Sequence, residues 1–72
     1  MLQRKLGQRI ASLRKAKKLT QEQLAEAIGC SVEFISLVER GVNAPSVAGL
    51  EKFSKIFKTE VKELFNFEEK KR

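Results

Sequence analysis

The residues able to do chemistry in this chain are its charges. Fifteen Lys and Arg face nine Asp and Glu across 72 residues, there is no histidine, and Cys30 is the single cysteine. A His-dependent triad is therefore excluded, as are an internal disulfide and a structural zinc site. No nucleophile–base pair stands out, so no catalytic residue is assigned, and neither enzyme activity nor a cofactor or metal is expected. What remains is recognition by charge. The formal charge of +6 points towards a polyanion, and it is spread unevenly. Arg4, Lys5, Arg9, Arg14, Lys15, Lys17 and Lys18 crowd residues 1–18 without one acid. Residues 19–50 carry Glu22, Glu26, Glu33 and Glu39 against Arg40 alone. A solvated lysine-rich face would give the same count, so the meaning of these charges depends on what holds them.

The elements that hold them read as helices. Leu2, Leu6, Ile10 and Leu13 fall at steps of four, four and three, the pattern of an amphipathic helix over 2–17. Its outer face is basic, and Arg9, Lys17 and Lys18 there offer long-range attraction to an anion. Thr20 and Gln23 have capping-box spacing, Leu24, Ala25 and Ile28 share a face, and Gly29 can end the helix in the left-handed region. Ser31 can cap a third helix with Ile35 and Val38 inside, so Thr20 to Gly41 reads as a helix-turn-helix. Pro45 forbids continuation, and Ser46 can cap a fourth helix carrying Val47, Leu50, Phe53, Ile56 and Phe57. Thr59 is the expected cap of a short fifth helix with Val61, Leu64 and Phe65, its apolar side extended by Phe67.

The expectation is an all-α, five-helix domain over 1–67 and a polar tail over 68–72. No apolar run nears the roughly 20 residues that cross a bilayer, and the N-terminus is no secretory signal. A cytoplasmic protein without a membrane partner is expected. Val61, Leu64, Phe65 and Phe67 are more apolar than a last turn requires. They either finish the core or form a dimer interface.

The stretch LTQEQLAEAIGCSVEFISLVERGVNAPS resembles the signature of the phage-repressor and Cro-type (xenobiotic-response-element) helix-turn-helix family. That signature runs Leu-Thr-Gln-x-x-Leu-Ala, a Gly turn, Ile-Ser-x-x-Glu-x-Gly and Pro-Ser, and the likeness covers roughly Leu6 to Phe65. It implies a lambda-repressor-like domain that binds double-stranded DNA, takes no small-molecule ligand and acts as a homodimeric transcriptional regulator on a palindromic operator. The minimal architecture is similar to restriction-modification controller proteins, small phage repressors and antitoxins.

By that resemblance Val32, Glu33, Ser36 and Leu37 on helix 3 face the bases in the major groove. Gln21, Arg40, Asn43 and Ser46 meet phosphates, and Arg14 pairs with Glu39 unless the two are unrelated surface charges. The reading positions depart from the family habit of Gln, Asn, Arg or Lys, which make bidentate bonds to bases. Two aliphatics, a carboxylate and a hydroxyl stand there instead. A protein-interaction adaptor or antitoxin, using Val32, Phe34 and Leu37 as its surface, is therefore the alternative. Phe34 lies either over the sugar-phosphate wall or against the domain itself. Cys30 is read as a small buried hydrophobe, with a reactive thiol as the other option.

Overall fold

Three hydroxyl side chains start three of the helices. Thr20 Oγ1 accepts from the Gln23 N–H at 3.0 Å while Gln23 Oε1 accepts from the Thr20 N–H at 2.8 Å, so both halves of the capping box are made. Ser31 accepts from the Phe34 N–H and Ser46 from the Gly49 N–H, each at 3.0 Å. The computed structural model describes residues 1–67: α1 (Leu2–Ala16), α2 (Gln21–Ile28), α3 (Val32–Glu39), α4 (Val47–Phe57) and a 3-10 helix (Val61–Phe65). The tail expected over 68–72 lies outside the described residues. Among the described residues there is no strand, and no helix is long and apolar enough to cross a membrane.

The helix ends divide into two kinds. α2 and α3 stop at Gly29 (φ +88°) and Gly41 (φ +81°), where a missing side chain makes the left-handed turn cheap. α1 and α4 stop instead at Lys18 (φ +61°) and Lys58 (φ +55°), left-handed residues that carry a Cβ. In the second of these the Thr59 N–H donates to the Ser54 carbonyl at 2.9 Å, so Thr59 closes α4. It does not cap the next helix, whose N-cap position is Glu60 without a side-chain bond. The fifth helix is accordingly not an α-helix. Its bonds span three residues, from the Glu63 N–H to the Glu60 carbonyl (2.9 Å) and from the Asn66 N–H to the Glu63 carbonyl (3.2 Å). A five-residue segment with an uncapped start favours that tighter turn.

The core joins Leu6 and Ile10 of α1, Leu24, Ala25 and Ile28 of α2, Ile35 and Val38 of α3, Phe53 and Phe57 of α4, and Leu64. Leu64 is fully covered, so it belongs to the core and cannot also face a partner; Val61, Phe65 and Phe67 are half-buried. Phe34 packs against the core, which places it with the domain itself. Cys30 does the same, and burial pushes its thiol pKa up, with Lys52 opposing. The neutral thiol of a small hydrophobe fits that setting.

α2 packs on α3 and α4, while α1 packs on α3 and the 3-10 helix. The α1–α3 crossing depends on Gly7. A Cβ there would fall onto the Val38 carbonyl oxygen and lie 2.9 Å from that of Glu39, so no larger residue lets the helices come this close.

Candidate nucleic-acid interface

α1 carries arginines at 4, 9 and 14, a step of five that turns each about 140° from the last at 3.6 residues per turn. The three side chains consequently meet three different neighbours. Arg14 is the innermost. Its Nε donates to Glu39 Oε2 at 2.7 Å, its Nη2 to Glu39 Oε1 at 3.2 Å, and its Nη1 to the Leu19 carbonyl at 2.7 Å. The two side chains are 11% and 7% exposed, so this is a buried, bidentate ion pair. Glu39 Oε1 takes a further bond from Gln21 Nε2 at 2.9 Å. One carboxylate thus ties α1, the start of α2 and the end of α3 together. Every buried side-chain nitrogen and oxygen among the described residues has a partner.

That network changes the picture of Gln21. The resemblance assigns its side chain to phosphate, yet one amide N–H is already given to Glu39 and the residue is half-buried. The amide retains its second N–H. Arg9 is also elsewhere than expected. Its Nε donates to the Glu63 carbonyl at 2.9 Å and its Nη2 lies 3.9 Å from Glu63 Oε1, so it is turned onto the 3-10 helix and is not displayed on a basic outer face. Lys17 and Lys18 do remain exposed at the end of α1.

The outward side of α3 brings the four expected reading positions together. Val32 and Glu33 are exposed, Ser36 and Leu37 half-buried. Glu33, Ser36 and Leu37 line an open recess of about 290 Å³ with Arg40, which follows the last turn of α3. Asn43 and Ser46 are exposed in the segment leading to α4. The caps on α2, α3 and α4 each occupy one N–H, and the other first-turn N–H groups of these helices lack intrahelical acceptors. Such helix starts favour anions.

Sequence reasoning missed the far end of α1. Gln3 Nε2 donates to the Gly41 carbonyl at 2.9 Å, and a Cβ at Gly41 would lie 2.8 Å from Arg4 Cα. The first turn of α1 therefore rests on the residue following Arg40. No local signal in the sequence marks this contact, which joins residues 38 positions apart.

The model of the Helix-turn-helix family matches residues 10–64. An uncharacterized HTH-type transcriptional regulator, YazB of Bacillus subtilis, is 48% identical over 42 residues, covering 58% of this chain and 61% of that protein. The immunity repressor protein of Bacillus phage phi105 is 46% identical over 46 residues, 64% of this chain and 32% of the repressor. The chain thus spans less than two thirds of either. An uncharacterized HTH-type regulator of Archaeoglobus fulgidus is 33% identical over 61 residues, 85% of this chain and 86% of its own. Among solved structures, the restriction-modification controller protein C.AhdI of Aeromonas hydrophila superposes with a TM-score of 0.82 at 39% identity, covering 86% of this chain and 94% of that one. The clp gene regulator ClgR of Corynebacterium glutamicum gives 0.88 at 28% identity, covering 93% and 71%. The all-helical fold agrees with these likenesses, and the chain belongs to the helix-turn-helix family.

Proposed function

We propose that this chain is a DNA-binding transcriptional regulator that acts as a homodimer on a palindromic operator. The observation that carries the reading is the outward side of α3, where Val32, Glu33, Ser36, Leu37 and the neighbouring Arg40 are gathered on one surface while the inner side is fully packed. The names of the similar proteins, regulators and a phage repressor, support it. In this reading α3 enters the major groove. Glu33 accepts from a cytosine N4–H, Val32 or Leu37 touches a thymine methyl, and Ser36 bonds a base edge. So few directional bonds leave much of the specificity to DNA shape. Gln21 with its remaining N–H, Arg40, Asn43 and Ser46 hold phosphates. Neutralising about four phosphates per subunit, a task for cationic side chains such as Arg40, Lys17 and Lys18 and not for the neutral contacts, gives a log–log salt slope of roughly −7 for a dimer.

Val61, Phe65 and Phe67 are the dimer surface in this proposal, now without Leu64. It sets two α3 helices about 34 Å apart. Selection of bound sequences from a random duplex pool tests the whole reading: an enriched palindrome is expected, and no enrichment at low salt overturns it. A protein sedimenting as a monomer at micromolar concentration overturns the dimer alone. A second reading, a protein-interaction adaptor or antitoxin, draws on the apolar residues left outside, Val32 at 38%, Val42 at 57% and Val47 at 75% exposed.

A further inference from the structure

We propose that Arg4 is a further phosphate-binding residue, held beside the α3–α4 loop by the docking of the first turn of α1 on Gly41. The inference rests on the DNA-binding reading above and adds a contact outside residues 10–64, the span that the family model matches. Three observations carry it. First, a side chain at Gly41 would lie 2.8 Å from Arg4 Cα, 3.1 Å from its Cβ and 3.3 Å from its Cγ, so the stem of Arg4 lies along the loop itself. Gln3 fastens the contact by donating to the Gly41 carbonyl at 2.9 Å.

Second, Gly41 directly follows Arg40, and Arg40 borders the recess on the outward side of α3. Arg4 and Arg40 therefore flank one turn of chain, and the segment from Arg40 to Ser46 contains no acid to neutralise them. Third, the other two arginines of α1 are committed, Arg9 to Glu63 and Arg14 to Glu39. Arg4 is exposed, and among the described residues it has no carboxylate within ion-pair distance. A guanidinium that is free, exposed and fixed at its base beside a loop is what a phosphodiester needs, because little chain entropy is lost on contact.

The experiment is a salt titration of a mixed-sequence duplex of roughly 20 base pairs, about two helical turns. Arg4→Gln should flatten the log–log slope by about 0.9 per subunit and weaken binding roughly fivefold per subunit near 0.15 M salt, for every sequence alike. Arg4→Lys, which keeps the charge, should restore the slope. Lys55→Gln, in the last turn of α4, removes one charge away from the loop and should leave the slope at the wild-type value. An Arg4→Gln slope equal to wild type overturns the inference while leaving the DNA reading standing. Equal losses in Arg4→Gln and Lys55→Gln also overturn it, since net charge alone would then account for both. A wild-type protein with no salt-dependent binding removes the DNA reading itself and this contact with it.

Discussion

The two sides of α3 follow opposite rules. On the inner side Glu39 is 7% exposed, its two oxygens accept three hydrogen bonds from Arg14 and Gln21, and Ile35 and Val38 are sealed in the core. On the outer side Val32, Glu33, Ser36 and Leu37 contribute no side chain to the buried core. The inner side fixes where the helix stands, and the outer side is free to vary without disturbing that position. Substitutions on the two sides should therefore separate into losses of stability and changes of preference.

The largest effect is expected from Glu39→Ala. It strands the Arg14 guanidinium in a buried site, which costs about 3–5 kcal/mol, read as a lowered midpoint in urea unfolding. Gly7→Ala follows. Its methyl group meets backbone carbonyls of α3 that cannot swing aside, and the helices must separate at a cost of about 1–3 kcal/mol in the same assay. The double variant Arg14→Met, Glu39→Leu sharpens the comparison. Apolar replacement of a buried pair is often close to neutral, so stability should stay within about 1 kcal/mol of wild type. DNA affinity should nonetheless fall for all sequences, because Gln21 loses the carboxylate that holds it. Glu33→Ala sits at the small end, within about 0.5 kcal/mol in stability, while preference at one base pair relaxes. Should it destabilise as much as Glu39→Ala, the division between the two sides of α3 collapses.

Most of the frame is legible in the sequence because its signals are local. Thr20, Ser31 and Ser46 announce helix starts, Gly29 and Gly41 announce stops, and the apolar steps in between name the buried faces. Features that need two distant segments are harder to see. Gly7 looks like a weak helix position until the carbonyls of Val38 and Glu39 are found beneath it. The apolar pattern marks Leu64 as hydrophobic but does not say whether this chain or another covers it. The left-handed lysines at 18 and 58 carry no sequence signal, since glycine or asparagine is the usual choice there. Within the candidate site, the α3 positions are what the resemblance implies, and the structure gathers them on the outward side of that helix. The surroundings of Gln21 and Arg9 are not legible in this way, because their neighbours Glu39 and Glu63 lie 18 and 54 residues away.

The clasp between Arg9 and Glu63 also bears on how the chain acquires its shape. α2 and α3 meet through a turn of three residues, so their contact closes a short loop at small entropic cost. α1 and the 3-10 helix are brought together only when the chain between them has been drawn into a ring, Arg9 reaching across 54 residues. The expected order is early contact between α2 and α3 and late closure of that ring, with φ-values near zero for substitutions at Leu64 and higher ones at Leu24 and Ile35. On that route the surface between α2 and α3 is set before the chain closes. Weakening the clasp should accelerate unfolding while barely slowing refolding.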